Sequence, residues 1–377
     1  MSGDPVSDIL KLTKAESLVT GGFTAGGPWA IRFPVPGTIK FFAVVRGACW
    51  VCIDGHAEPI RFETGDVGLL SARRSFVLSS HPSVAPVDAM MLFSGAGRTT
   101  AKIGNGRDFS HIGGHVLLDP TSGGLLADVL PPWIRIQATS PEATNFRWLL
   151  DQLVKERAGV LPGAQLASAQ LAQLLFIQIL RAHLKTSSLV SAGWLRALAD
   201  PRIAPAIRLM HSDPGRSWHL AELARALAMS RTTFAFHFKA AAGVAPLTYL
   251  TEWRMRLAER ALREEATAVA DVARSLGYTS ESAFSNAFKR VTGTSPRAYR
   301  SASRASASPS SGRRSERTAR SRSRSRRWTN ERRRRRPAAG RRRVGRGRAR
   351  RARPASSWSR SGVDYGAGRD LTSDRGR

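Results

Sequence analysis

The chain has 377 residues, 42% of them hydrophobic, and a formal net charge of +31. This is a globular composition with length for two or three domains, and two cysteines, Cys49 and Cys52, exclude a disulfide scaffold and suit a reducing compartment. The charge is uneven: residues 1–200 carry a net +3, residues 201–300 a net +7, and residues 301–377 a net +21 on 26 arginines and no lysine.

The first residues hold acidic side chains and no basic run leading into an apolar one, so no signal peptide is expected. From residue 20 to about 135, short apolar runs at Lys40–Val45, Ala48–Ile53 and Ser75–Leu78 alternate with turn signals at Arg46-Gly47, Asp54-Gly55 and Thr64-Gly65-Asp66. That rhythm predicts a small antiparallel barrel or sandwich. Cys49 and Cys52 have the C-x-x-C spacing but fall inside a strand, where residues three apart face opposite ways, so two ordinary thiols are expected. His111 and His115 flank Gly113-Gly114, which argues against a helix presenting both to a metal. Trp29, Phe33 and Trp50 either line an effector pocket or fill the interior between strands.

Beyond Pro141 the apolar period becomes helical. Phe146, Leu149, Leu150 and Leu153 form one stripe, and Leu171, Leu174, Leu175, Ile179 and Leu180 form another. Such stripes are buried faces in most proteins, and a second copy of the chain is the other surface they would suit. The stretch Leu171–Leu180 is too short to span a bilayer and contains Gln173 and Gln178, so no membrane partner and a cytoplasmic location are expected. Pro201 and Pro205 mark a boundary, giving a first domain over 1–190 and a second over 200–300. After Ser301 the chain is Ser, Arg, Gly and Pro, which cannot bury a core and predicts a disordered tail over 301–377.

Residues 219–250 and 268–300 repeat each other. Phe234/Phe284, Phe238/Phe288, Lys239/Lys289, Gly243/Gly293, Pro246/Pro296 and Tyr249/Tyr299 are offset by fifty residues, whereas Leu223/Val272, Ala224/Ala273 and Leu227/Leu276 are offset by forty-nine. The extra residue belongs in a turn, where insertion is tolerated. Each copy reads as a helix-turn-helix. A short helix ends near Ala228 or at Gly277, and Ser230 or Ser280 then caps the next helix. The phenylalanines pin that helix inward at i,i+4 spacing, and Gly243 or Gly293 ends it. The exposed face is then Arg231, Thr232, Ala235 and Phe236 with Lys239 in the first copy. In the second it is Glu281, Ser282, Ser285 and Asn286 with Lys289 and Arg290. Asn, Glu, Ser and Thr can read base edges in a major groove, while Lys and Arg meet phosphates. His219 stands where a Ser or Thr cap is expected. Residues 247–263 predict one helix with Trp253, Leu257 and Ala261 on a stripe. At ~1.5 Å per residue this is a rod of roughly 25 Å, able to set two reading heads about one DNA turn apart.

The stretch from Arg256 to Arg300, above all DVARSLGYTSESAFSNAFKRVTGTSPRAYR, resembles the AraC family of transcriptional regulators. The resemblance implies a double helix-turn-helix domain that binds duplex DNA. It places base-contacting positions at Thr232, Ala235, Phe236, Glu281, Ser282, Ser285 and Asn286. The segments FTAGGPWAIRFP, IKFFAVVRGACW, FETGDVGLL and SPEATNFRWLLDQLV resemble the cupin-type sensor half of one branch of that family. That implies a small-molecule effector, a homodimer, or both, and contact with RNA polymerase if the protein activates. The fold class expected is α+β and multidomain, with a cupin-like antiparallel β-barrel plus helices, an all-α double helix-turn-helix and the arginine tail. Metal-binding cupins carry a His-x-His pair, a Glu and a further His. Residues Ile39–Gly47 have no histidine and Gly68 stands where a ligand is expected, so neither a metal, a cofactor nor an enzyme is anticipated. The tail has three readings: a polycation adding non-specific DNA affinity, a segment binding RNA or an acidic partner, or an out-of-frame extension. A nucleic-acid packaging protein built on it is the alternative function.

Overall fold

The computed structural model describes residues 3–71, 74–93, 100–159, 161–186, 193–264 and 267–307. The expected arginine-rich disordered tail lies outside them from residue 308 onward.

A capped helix α1 (Pro5–Leu12) comes first. Strands β1 (Glu16–Ala25), β2 (Ala30–Phe33), β3 (Ile39–Arg46), β4 (Ala48–Ile53), β5 (Ile60–Glu63), β6 (Val67–Leu70), β7 (Phe76–Ser79) and β8 (Val87–Asp88) follow. A turn of helix, α2 (Ala89–Leu92), precedes β9 (Thr100–Ile103) and β10 (Phe109–Leu117), and α3 (Gly124–Ala127) precedes β11 (Trp133–Ile136). The rest is helical: α4 (Ala143–Ala158), α5 (Ala164–Thr186), α6 (Trp194–Ala199), α7 (Ala204–Ser212), α8 (Leu220–Ala226), α9 (Arg231–Ala242) and α10 (Pro246–Glu264). Helices α11 (Val269–Ser275), α12 (Glu281–Thr292) and α13 (Pro296–Ala307) complete it, the last running through Ser301, where the tail was expected to begin. No helix among the described residues is long and apolar enough to cross a membrane.

The strands form a six-stranded sheet, β11-β6-β3-β10-β1-β9, and a five-stranded sheet, β5-β4-β7-β2-β8. The sheets face each other without closing into a barrel. Two pairings, β1 with β9 and β2 with β8, are parallel. A parallel partner needs a connection longer than a hairpin, and both edge strands are remote in sequence from the strands they join. Strand β3 is buried along most of its length because both of its faces are covered. Ile39, Phe41 and Ala43 meet the helices, while Phe42 and Val44 face the other sheet.

Helices α4 and α5 cover the larger sheet. Phe146, Leu149, Leu150 and Leu153 are buried there, as are Leu175, Ile179 and Leu180, but Leu174 is 39% exposed and Leu171 only half-buried. Leu174 falls outside the arc of α5 that turns Leu175, Ile179 and Leu180 inward. Gln173 explains its place in the apolar stretch: its Oε1 accepts from the Ser17 N–H at 2.9 Å, fastening α5 to β1.

One apolar core continues from the larger sheet and its helices through α1, α6 and α7 into Phe234, Phe238 and Trp253. A second core fills the space between the two sheets, and a third, smaller one holds Met255, Leu262, Phe284 and Phe288. Helix α10 serves the first and the third, which alters the expected stripe. Trp253 is buried, but Leu257 and Ala261 are half-buried, and Met255, Ala258 and Leu262 are buried on another side. Helix α6 lies just before the expected boundary at residue 200 and packs on α9.

Polar contacts join the sensor half to α7 and α10. His211 is fully buried, stacks on Trp253 with 4.0 Å between ring centroids, and places Nε2 2.8 Å from the Tyr249 hydroxyl. Asp8 of α1 approaches its Nδ1 at 3.6 Å. Burial lowers the His211 pKa against the opposing pull of Asp8. Lys14 pairs with Glu264 at 2.7 Å and Arg263 with Asp119 at 3.0 Å. Burial alone would raise the Asp119 pKa, but hydrogen bonds from the Ser122 N–H, Arg263 and the Ser122 hydroxyl, with the Arg263 charge, hold it at about 2. The folded value lies below the ordinary ~3.9, so this tie is whole above that pH and is lost as the pH falls toward about 2.

Candidate nucleic-acid interface

The repeat read in the sequence is a repeat of local geometry. The Ser230 Oγ accepts from the Thr233 N–H at 3.1 Å, and the Ser280 Oγ accepts from the Ala283 N–H at 3.1 Å. Each hydroxyl satisfies a donor that the first turn of a helix would leave open. Gly243 and Gly293 end α9 and α12 in the left-handed conformation, at φ +81° and +80°. Phe234 and Phe238 meet at 5.6 Å between centroids, Phe284 and Phe288 at 5.7 Å. Tyr249 closes on Phe238 at 5.7 Å, Tyr299 on Phe288 at 5.5 Å. His219 begins α8 with no side-chain cap bond.

The turns differ by one residue, as the offsets require. Ala228 and Gly277 both follow the first helix with positive φ, +54° and +80°. After Ala228 the chain passes through Met229 to Ser230; after Gly277 it passes through Tyr278 and Thr279 to Ser280. Glycine at 277 has a second reason beyond its φ. A Cβ there would collide with the Gly215 carbonyl oxygen, where the loop after α7 touches the second unit. Arg254 braces the same junction, donating to the Pro214 carbonyl at 2.6 Å and the Arg216 carbonyl at 2.8 Å, and lying over the Tyr278 ring.

With the phenylalanines turned inward, α9 presents Arg231, Thr232, Phe236 and Lys239 as exposed and Ala235 as half-buried. Phe236 is 70% exposed, an uncommon position for a large ring, and meets the neighbouring His237 ring edge-on at 5.4 Å between centroids. Helix α12 presents Ser282, Asn286, Lys289 and Arg290 as exposed and Ser285 as half-buried. Glu281 is half-buried and its carboxylate is held by Arg297 of α13 at 3.0 Å, so a cytosine amine would compete with a guanidinium. Both faces thus carry small or planar groups at the centre, with cations at both ends of α9 and at the C-terminal end of α12, a distribution suited to base edges flanked by phosphates.

The three aromatic residues considered for an effector pocket separate in the structure. A cavity of about 250 Å³ between the two sheets is lined by Phe33 with Phe42, Phe76, Phe93, Lys40 and His111. Trp29 is not on it; its ring is packed against Phe23 at 5.1 Å and Phe109 at 4.7 Å. Trp50 is not on it either. Alternation along β4 turns Cys49 and Val51 inward and Trp50 and Cys52 outward, and Arg61 lies over the Trp50 ring. The inward Cys49 thiol is pushed up to about 12 by burial and by the Asp66 charge, which makes it inert. Lys40 escaped the sequence reading, which weighed His111 only as half of a metal-binding pair; the one available signal was a lysine at the inward register of an apolar strand. Burial of the His111 ring lowers its pKa to about 4, so it is neutral at physiological pH.

Where a metal-binding relative of this fold would carry a ligand, Gly68 lies under the rings of Phe42 and Phe62, which occupy the space a side chain would need. Among the described residues no group of three or more His, Cys, Asp or Glu is placed to hold a metal ion.

Comparison with known proteins places the same two regions. Residues 4–185 match a cupin family model and residues 223–302 a helix-turn-helix domain model. A protein of Streptomyces lividans described as an AraC-like transcription regulator is 43% identical over 297 residues, covering 79% of this chain and 98% of the relative. The HTH-type transcriptional regulator AlkR of Acinetobacter baylyi is 28% identical over 79% of this chain and 98% of its own length. Among solved structures, the DNA-binding domain of AdpA, a global transcriptional factor in complex with a target DNA, is 34% identical with a TM-score of 0.28. It is matched by 29% of this chain over 96% of its own length.

Proposed function

Since the chain belongs to the AraC-like transcription regulators and is a sequence-specific DNA-binding protein of that type, we propose that it answers to a small molecule and reads two successive major-groove segments of one duplex. The observation that carries this reading is the equivalence of α9 and α12. Both start from a serine cap, bury an equivalent phenylalanine pair and turn the equivalent helix face outward. Thr232, Ala235 and Phe236 contact bases from the first unit, and Ser282, Ser285 and Asn286 from the second. Arg231, Lys239, Lys289 and Arg290 meet the backbone. Helix α10, 19 residues long, is a spacer of roughly 28 Å at ~1.5 Å per residue.

The effector occupies the cavity between the sheets and shifts the balance between arrangements of sensor and reading heads, as a ligand can only when it binds one arrangement better. The ties of α10 to Asp119 and Lys14 are where that difference would register. In this reading the sensor half binds without catalysing, and the phenyl rings over Gly68 support it. Pairing of two copies, contact with RNA polymerase at activated promoters, and a cytoplasmic place beside the chromosome follow from the same mode of action. Selection from a library of random duplexes with the full chain tests the reading. The expected product is a bipartite sequence whose blocks are about one helical turn apart; a pool that stays random would refute it.

A further inference from the structure

We propose that the sensor cavity takes a small aromatic monocarboxylate, its ring among the phenylalanines of the two sheets and its charge on Lys40. This deepens, and rests on, the effector reading of that cavity. Size comes first. A cavity of about 150 Å³ holds benzene, so about 250 Å³ accommodates a ring with a short acid chain, about ten non-hydrogen atoms. The walls are aromatic: Phe33 and Phe76 stack at 4.9 Å with 11° between planes, and Phe93 stands 6.4 Å from Phe33. Opposite them, Gly21 and Gly113 are register partners in β1 and β10 and leave the floor free of side chains. A flat ring fits between such surfaces.

Charge narrows the class. Lys40 sits on the inward register of β3 with Phe42, half-buried, and no carboxylate lines the cavity. Among the described residues no acidic side chain pairs with it. A cation held partly out of water without a counter-ion is unfavourable, and burial lowers its pKa accordingly. Its register partner across the ladder is His115, whose own proton affinity is lowered by burial and by the Lys40 charge. The His111 ring lies on the same cavity. A carboxylate answers Lys40, and a neutral imidazole can donate to it. A cationic ligand would meet Lys40 with like charge. A sugar would leave its hydroxyls facing phenyl rings, since Thr20, Lys40 and His111 are the polar side chains on the lining.

The test uses the full chain and three ligands of one shape: hydrocinnamate, its neutral amide hydrocinnamamide, and phenylpropylammonium, titrated by calorimetry. The expected order is carboxylate, then amide, then ammonium, with the carboxylate about tenfold tighter than the amide. Lys40→Met should erase that advantage and Lys40→Arg should keep it, which separates charge from a folding defect. An amide that binds as tightly as the carboxylate, a preference that survives Lys40→Met, or no binding of any of the three at millimolar concentration would each overturn the proposal. DNA affinity measured with and without ligand separates this from the effector reading. Charge-selective binding that leaves DNA affinity unmoved sinks the effector role and keeps the ligand class. An amide that binds equally well and shifts DNA affinity does the reverse.

Discussion

In the first helix-turn-helix unit, Phe234, Phe238 and Tyr249 join the core that also holds α1, α5 and the larger sheet; in the second, Phe284, Phe288 and Tyr299 pack into a core of their own. The first unit therefore cannot shift without disturbing close-packed side chains of the sensor half. The second hangs from the end of α10, steadied by the Gly215–Gly277 approach and by polar ties through Arg254 and Arg263. The reading faces differ in the same sense. The anchored unit offers Ala235 and Phe236, which are apolar, and the hung unit offers Ser285 and Asn286, which are polar. In the proposed reading the first unit is the more firmly placed and the second carries the more discriminating face.

That contrast can be broken most severely at Gly277. Gly277→Ala recreates the residue found at the equivalent position of the first unit, Ala228, but drives its Cβ into the Gly215 carbonyl. A left-handed alanine costs ~1–2 kcal/mol and the forced backbone shift as much again, so about 3 kcal/mol is expected. Hydrogen exchange should show α12 amides opening that much more easily while α9 amides are unchanged. Asn286→Ala should lose ~1–3 kcal/mol of discrimination at a single base pair, read by competition between duplexes differing at each position in turn. An unchanged preference would remove Asn286 from the reading face.

Phe236→Ala sharpens the contrast from the other side. An exposed phenyl ring in a major groove recognises the thymine methyl group, a contact of about 0.8 kcal/mol. Replacing each thymine of the site by deoxyuridine should weaken the wild-type chain at one position and leave Phe236→Ala indifferent there. Smallest of all, Ala228→Gly should stabilise the first turn by a few tenths to about 1 kcal/mol, since nothing but its own φ opposes the alanine. A thermal unfolding shift would measure it, and a destabilised variant would show that the Ala228 side chain has a packing role.

The helix-turn-helix frames were legible because their determinants are local. A serine cap, phenylalanines four residues apart and a glycine stop act within one helix, and the change of offset from forty-nine to fifty put the extra residue in the turn. The sensor half was legible as short strands but not as a site. Whether Trp29, Phe33 or Trp50 reaches the cavity depends on which strands pair and which face each turns inward, and pairing joins residues far apart in sequence. The same limit hid Arg297, which comes from the next helix to occupy the Glu281 carboxylate, and α6, whose packing on α9 puts part of the first unit before its apparent boundary. Leu174 and Leu257 departed from their stripes because their helices serve more than one neighbour.

The spacing of the two reading heads is best examined by inserting half a helical turn of DNA between the two blocks of a selected site. Two units fixed on one α10 spacer would then face opposite sides of the duplex, and affinity of the full chain should fall on the order of 100-fold, toward non-specific binding. Affinity that survives the insertion would mean that a single unit does the reading, and the paired grip would have to be abandoned.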